Sequence, residues 1–261
     1  MATRIDPYSS ISIQVKMLCN DHYISNATAF FFKSNNNLYV VTNWHVFSGR
    51  NPNTGQPLNK KGAIPDTMEM ALWLKQKLGD WHFTRMSLDD INGEAIWLQH
   101  PSGQDVDVAI CRINEIPDEI AVNSLPRPDE ILDMAFEIAM DVFIVGFPLG
   151  LTYQDVFPVW KRGSVATEPQ LSINNLPVFL VDSTTRQGMS GSPVYLRTFG
   201  QCIHENGNVK MTNGPTSRFV GVYSGRYGAD DEEAAQLGRV WHREVINEII
   251  DGGVKGSYEI K

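Results

Sequence analysis

Short apolar runs follow one another along most of the chain, and Asn, Gly and Pro residues separate them. This pattern is typical of β-strands joined by turns. In the N-terminal part it predicts strands at residues 27–33, 38–42, 68–74, 81–88, 95–99 and 106–113. In the C-terminal part it predicts strands at residues 142–145, 156–167, 172–173, 178–182, 192–198 and 218–224.

Two segments carry a helical signal instead. Residues 129–141, between the two sets of strands, have a helix-like composition. Near the C-terminus, Trp241, Val245 and Ile249 are spaced by four residues, which is the stripe of an amphipathic helix packed on a core. The pattern therefore predicts a C-terminal helix over 240–250.

A candidate nucleophile lies just before one of the later predicted strands. The segment 187–193, QGMSGSP, sets Ser190 between Gly188 and Gly191. A serine hydroxyl is a poor nucleophile unless an imidazole accepts its proton, a carboxylate orients that imidazole and N–H donors bind the oxyanion. The flexible backbone at Gly188 lets its N–H group and that of Ser190 converge for this purpose. Taken by itself, the segment also fits an ordinary turn rich in Gly, Ser and Pro.

Two other polar residues lie beside apolar runs, where a base and its carboxylate are expected. His45 follows the run at 38–42, so its side chain enters a cleft from a strand end. Asp107 lies within the apolar run 106–110, where a charge needs a buried hydrogen-bond partner, and His45 is the partner we expect. Asp105, on the same strand face, is the competing carboxylate. A solvated Asp107 at a strand end is the alternative that the sequence leaves open.

Five segments together resemble the trypsin-like, chymotrypsin-fold serine peptidases, in particular the bacterial and HtrA-like branch. They are TNWHV at 42–46, DVAI at 107–110, VFIVGFPLG at 142–150, GMSGSP at 188–193 and FVGVYSG at 219–225. Each segment is a weak signal alone, but their order and spacing agree with the family. The resemblance covers most of residues 24–250.

The resemblance implies an all-β fold of two packed six-stranded antiparallel Greek-key barrels with a C-terminal helix. The first barrel would carry His45 and Asp107, and the second would carry Ser190. The implied division is an N-terminal barrel over 1–116, a crossover over 117–141, a C-terminal barrel over 142–239 and a helix with a tail over 240–261.

The function that the resemblance implies is that of a serine endopeptidase working through an acyl-enzyme. Ser190 would attack the peptide carbonyl, while His45 takes and later returns the proton. Asp107 would fix the imidazole tautomer, and the N–H groups of Gly188 and Ser190 would bind the oxyanion. Two alternatives remain open: a catalytically silent or partner-activated peptide-binding module of the same fold, and an esterase. An α/β-hydrolase is disfavoured because its nucleophile precedes its histidine in the chain.

The resemblance also assigns substrate-binding positions. They are Thr184 at the floor of the specificity pocket, Gln187 at its rim, and Ser224, Gly225 and Arg226 along the edge that pairs with extended peptide. Because Thr184 is neutral, we expect Lys and Arg to be poor residues before the cleaved bond and small uncharged residues to be preferred. If Arg226 instead reaches inward, Asp or Glu would be preferred.

One residue beside the nucleophile departs from the family pattern. Met189 stands where many relatives carry an aspartate that binds a newly formed N-terminus. Activation through that ion pair is therefore not expected, and the chain should not need N-terminal trimming.

The composition of the chain restricts the classes of binding partner that we expect. The net charge of −8 over 261 residues argues against nucleic acid or an anionic membrane as the main partner, so we expect a protein or peptide substrate, with an activating partner protein as a further option.

The three cysteines are scattered and form no disulfide framework, which indicates a reducing compartment. With no signal-like segment or apolar span, we expect a cytoplasmic protein. Neither a cofactor nor a metal is expected, because the histidines lack metal-ligand spacing.

Overall fold

Strands form most of the described chain, and they assemble into two β units. The computed structural model describes residues 5–75, 80–150, 157–184, 186–226 and 237–258. The all-β fold class predicted from the sequence is confirmed.

Within the described ranges, the first unit is a nine-stranded sheet. Its strands are β1 (Ser12–Cys19), β2 (His22–Ser34), β3 (Asn37–Thr42), β4 (Thr67–Trp73), β5 (Trp81–Ser87), β6 (Trp97–Gln99), β7 (Ala109–Ile113), β8 (Ser124–Leu125) and β15 (Val254–Lys255). They pair in the order β15-β6-β7-β3-β2-β1-β4-β5, and β8 runs parallel beside β2. This path does not close on itself, so the first unit departs from the closed six-stranded barrel that we expected.

The second unit does close. Its strands are β9 (Asp141–Gly146), β10 (Val159–Val165), β11 (Val178–Asp182), β12 (Pro193–Ile203), β13 (Val209–Arg226) and β14 (Leu237–His242). They form a six-stranded barrel in the order β10-β11-β14-β13-β12-β9, and every pair in it is antiparallel. The second unit is therefore the barrel that the sequence predicted, although some of its strands differ from those expected.

The sequence prediction omits β1, β8 and β15 of the first unit and β14 of the second. In β1, Ile13, Val15 and Met17 alternate with polar residues and are buried, a period-2 signal that the predicted strands omit. In β14, Val240 and Trp241 belong to a strand rather than to the start of the C-terminal helix. Trp241 contacts the same core as the helix that follows, which explains why the spacing of apolar residues continues across both elements.

The structure differs from both helical predictions, the one at the C-terminus and the one over 129–141. The C-terminal helix, α2 (Glu244–Gly252), begins four residues later than predicted, after β14 has ended. Residues 129–141 contain turns and no helix up to the start of β9. Backbone N–H groups of this segment bind the β12–β13 hairpin instead of a helical carbonyl. Ile131 N–H donates to Ser217 O, and Ala135 N–H donates to Ile203 O.

In the second unit, one predicted strand does not form and another begins three residues late. The segment 172–173 is no strand, because Ile173 bridges to Leu176 around a turn. Asn174 and Asn175 stand in that turn with φ of 54° and 61°, in the left-handed region. The strand predicted from residue 156 begins at Val159, and residue 156 itself lies outside the described residues.

The two units share one apolar core. Phe30 on β2 packs edge-on against Phe219 on β13, with ring centroids 5.5 Å apart. Val245 and Ile249 of α2 enter the same core. The Ser12 hydroxyl donates to Val145 O across the junction, at 2.8 Å. Apolar packing and a hydrogen bond thus join the two units.

Candidate active site

His45 is held at the start of a short helix rather than on a strand. The polypeptide leaves β3 at Thr42, and α1 (Trp44–Ser48) follows after Asn43. Asn43 is fully buried, and its side-chain amide donates to Asp107 O at 2.7 Å. The strand end, the helix start and the segment before β7 are therefore joined around His45.

Asp107 binds His45 with both carboxylate oxygens. Oδ2 lies 2.7 Å from His45 Nδ1, and Oδ1 accepts from the His45 backbone N–H at 2.9 Å. Asp107 is 3% exposed, so these bonds compensate for the loss of its hydration. A carboxylate only accepts hydrogen bonds, which assigns the imidazole proton to Nδ1 and leaves Nε2 as the acceptor.

We expected Asp107 within a strand, but it lies just before one. Strand β7 begins two residues later, at Ala109, and the preceding short 3₁₀ helix is Gly103–Asp105. Asp105 is therefore in that helix and exposed, whereas Asp107 is buried. The competing carboxylate thus stands in a different environment from the one bonded to His45.

Ser190 lies in a tight loop that requires glycine on both sides. Gly188 and Gly191 have φ of 92° and 82°, in the region that L-residues with a side chain rarely adopt. A Cβ on Gly188 would lie 2.3 Å from Phe147 O, and one on Gly191 would lie 2.1 Å from Thr28 O. Both positions are therefore closed to larger residues by conformation and by space.

Thr28, on β2 of the first unit, holds this loop of the second unit and is not among the residues predicted from the sequence. Its backbone N–H donates to Ser190 O at 2.9 Å, and its hydroxyl donates to Gly188 O at 2.8 Å. The same hydroxyl accepts from Phe147 N–H at 3.1 Å. The only sequence signal for Thr28 is a hydroxyl residue within the otherwise apolar run 27–32.

The donors next to Ser190 point to no acceptor in the described structure. Neither Gly188 N–H nor Ser190 N–H donates to another described residue. The Ser190 hydroxyl likewise makes no hydrogen bond to any described residue, His45 included. Catalytic hydrogen bonds are often long in the absence of substrate, so this geometry is compatible with an unliganded site.

A cleft of about 1140 Å³ collects most of the candidate residues. His45, Asp107 and Ser190 line it, as do the expected substrate-binding residues Gln187, Gly188, Ser224, Gly225 and Arg226. Thr184 is not among its lining residues; it is exposed, and its carbonyl accepts a hydrogen bond from Lys161. The structure therefore brings the proposed chemistry into one cleft but leaves the expected pocket floor outside it.

Comparison with known proteins assigns the chain to a family. The model of the trypsin-like peptidase domain matches residues 27–203, a range that includes His45, Asp107 and Ser190. The chain belongs to this family. No curated protein sequence matches it significantly.

Solved structures similar to this trypsin-like peptidase domain include two bacterial proteases. The serine endoprotease from Yersinia pestis is 12% identical with a TM-score of 0.51, and the match covers 94% of this chain and 62% of that one. The active form of the Rv3671c protease from M. tuberculosis is 17% identical with a TM-score of 0.48, covering 94% and 81%. The Yersinia match shows a shared fold.

This family member holds the residue before Ser190 by apolar packing. Met189 is fully buried in the core of the second barrel, beside residues of β9 and β12 such as Ile144 and Val194. Cys19, Cys111 and Cys202 are free. Within the described ranges, no group of three or more His, Cys, Asp and Glu residues could hold a metal ion, and no helix is long and apolar enough to cross a membrane.

Proposed function

We propose that the chain is a serine endopeptidase that hydrolyses peptide bonds through an acyl-enzyme. His45, Asp107 and Ser190 act as base, orienting carboxylate and nucleophile. The observation that carries the proposal is the hydrogen-bonded pair of His45 Nδ1 and Asp107 Oδ2, 2.7 Å apart. Both residues line the cleft that Ser190 also lines.

In the first half of the reaction, Nε2 of His45 accepts the Ser190 proton as Oγ attacks the peptide carbonyl. The negative charge that develops on the carbonyl oxygen is stabilised by the N–H groups of Gly188 and Ser190. The imidazolium then protonates the leaving amine. In the second half, water attacks the acyl-enzyme by the same route and frees Ser190.

A fluorophosphonate probe tests this proposal, because it labels only an activated serine. We expect stoichiometric labelling of the purified chain, located at Ser190 by peptide mass analysis. Ser190→Ala should abolish labelling, whereas Ser192→Ala, which removes a neighbouring buried hydroxyl, should retain it. Labelling at another serine would contradict the proposal.

The second candidate function is a peptide-binding module that is silent until a partner activates it. It is favoured by one observation, the lack of a hydrogen bond from the Ser190 hydroxyl to any described residue. Absence of labelling, together with intact peptide binding, would support this candidate over the peptidase.

A further inference from the structure

The peptide units that precede Gly188 and Ser190 in the loop determine where the two proposed oxyanion donors point. Both units are trans, and in a trans unit the C=O and N–H groups point in opposite directions. A hydrogen bond to the carbonyl therefore fixes the direction of the N–H. For Ser190 this bond is local, because Met189 O accepts from Ser192 N–H at 3.0 Å within the same loop.

The corresponding bond for Gly188 comes from a different segment. Gln187 O accepts from Leu149 N–H at 2.5 Å, and Leu149 lies in the turn Pro148–Gly150, which follows β9. The turn is not among the described residues that line the cleft, whereas Gln187 and Gly188 line it. Gly188 N–H is thus directed away from the turn, on the side of the cleft. Because a peptide next to glycine rotates easily, loss of the Leu149 bond would leave this donor without a fixed direction.

Leu149 has a backbone conformation that leucine rarely adopts. Its φ of 55° and ψ of 22° lie in the left-handed region. Its side chain is 59% exposed and does not line the cleft, so neither core packing nor substrate contact accounts for it. A residue in this region persists only where the surrounding structure determines its conformation. The backbone N–H of Leu149 is therefore the group that the site uses.

The first unit holds this turn in place. Gln14 on β1 is 9% exposed, and its Nε2 donates to Gly150 O at 3.2 Å. Phe147 N–H, directly before the turn, donates to Thr28 Oγ1 at 3.1 Å. The turn also closes on itself, because Gly150 N–H donates to Phe147 O at 3.2 Å. These bonds keep the left-handed residue at the position from which it binds the loop at Ser190.

We infer that Leu149 is a positioning residue, whose backbone N–H holds the Gln187–Gly188 peptide so that Gly188 N–H can bind the oxyanion. This inference rests on the proposed function and adds a residue to it. The leucine side chain is required only to tolerate the left-handed region. Residues that adopt this region readily should therefore support turnover, whereas β-branched residues, for which it is a strong outlier, should not.

Substitutions at Leu149 test this requirement in the active chain. Glycine and asparagine adopt the left-handed region readily, so Leu149→Gly and Leu149→Asn should keep most of the wild-type kcat. Leu149→Val should lower kcat by about 10- to 100-fold with little change in KM, because one oxyanion donor loses its direction. Both constants are measured by peptide hydrolysis. Wild-type kcat in Leu149→Val, or an equal loss in Leu149→Gly, would overturn the inference.

Ala139→Val is the matched control. Ala139 is exposed and has φ of 67°, and its N–H donates to Val165 O at 2.9 Å. It shares with Leu149 a left-handed conformation and a backbone bond to another segment, but it does not line the cleft. Ala139→Val should lower the melting temperature about as much as Leu149→Val and leave kcat unchanged. Equal losses of kcat in the two variants would contradict the inference, because general destabilisation would then explain both.

Amide hydrogen exchange separates this inference from the proposed function, because it needs no turnover. It is measured by NMR on Ser190→Ala and on the double variant that adds Leu149→Val. We expect the amide at position 149 to be protected in the first and to exchange about tenfold faster or more in the second.

This loss of protection, with a change in the Gly188 amide signal, supports the positioning role even if fluorophosphonate does not label the wild-type chain. An unprotected Leu149 amide in Ser190→Ala contradicts the role even if the wild-type chain is labelled. Protection that Leu149→Val leaves unchanged also contradicts it.

Discussion

The two β units hold their parts of the candidate site in different ways. The open first sheet fixes His45 and Asp107 by hydrogen bonds among its own residues. The second unit is a closed barrel, yet its loop at Ser190 is bound by Thr28 of the first unit. Closure of a barrel therefore does not by itself order the loop at Ser190. In this chain the proposed base belongs to one unit, whereas the position of the proposed nucleophile depends on the contact between both.

The second barrel nevertheless anchors the loop from its own side. Met189 is buried in its core, and Gly191 N–H donates to Tyr223 O. Ser190 thus stands between an apolar anchor in the second unit and hydrogen bonds from the first. Substitutions that remove one unit's contribution at a time test this division.

The largest effect is expected from removing the proposed nucleophile of the second unit. Ser190→Ala should lower turnover by about 10⁶-fold if the magnitudes of other serine proteases apply. The melting temperature should stay close to that of the wild type, because the Ser190 hydroxyl bonds no described residue. Peptide hydrolysis and a thermal melt measure the two effects. A large loss of stability would show that the hydroxyl has a structural role.

The next effect concerns the carboxylate of the first unit. Asp107→Asn should lower turnover by roughly 10⁴-fold, because an amide donates toward Nδ1 and favours the wrong imidazole tautomer. Asp105→Asn is the matched control, two residues away and exposed, and should have little effect. Turnover of a peptide substrate is measured for both variants and compared with the wild type. If Asp105→Asn were the damaging change, the assignment of the carboxylate would be reversed.

A smaller effect is expected from the contact between the units. Thr28→Val keeps the shape but removes the hydroxyl that binds Gly188 O and Phe147 N–H. We expect kcat to fall by about 10- to 100-fold with little change in KM, because the oxyanion donors lose their alignment. Unfolding free energy should fall by about 1–3 kcal/mol, the cost of leaving a buried group without its partner.

Two variants control for this prediction. Thr28→Ser restores the hydroxyl and should recover most of kcat. Thr198→Val removes a hydroxyl bonded to Thr216 at 2.8 Å on the β12–β13 hairpin, so it should change stability without changing kcat. Equal losses of kcat in Thr28→Val and Thr198→Val would mean that general destabilisation, not loop position, is responsible.

The difference between the units also explains what the sequence could predict. Local motifs predicted His45, Asp107 and Ser190 as candidate site residues, because each stands beside an apolar run or between glycines. Thr28 was missed because its importance comes from a residue 160 positions away along the chain, Gly188. The position of Arg239 in the cleft is a similar long-range result, since the pairing of β13 with β14 brings it there.

The fold shows the same limit. The all-β class follows from the spacing of apolar runs, but whether a sheet closes depends on which strands pair, and pairing is long-range. The helix predicted over 129–141 failed because its N–H groups bind the β12–β13 hairpin. Apolar spacing near Trp241 was read as helix because strand β14 and helix α2 bury their residues in one core.

The smallest expected effect lies in the second barrel, away from the cleft, at His242 on the end of β14. Burial lowers the pKa of its imidazole below the ordinary 6.5, although Glu244 and Glu248 oppose the shift. The unfolded chain therefore takes up this proton at higher pH than the folded chain. Its contribution to stability is complete above pH 6.5 and is lost as the pH falls through and below that value.

Removing this group should reduce the loss of stability in acid. We expect urea unfolding of His242→Gln between pH 7.5 and pH 5 to show a shallower fall than the wild type. The difference in slope is at most about 1.4 kcal/mol per pH unit, the value for one proton. A part of the packing against Phe179, whose ring centroid is 5.1 Å away, is lost at every pH, so only the slope is diagnostic. A steeper fall in the variant would show that His242 is charged in the folded chain, and that the second barrel gains stability from it in acid.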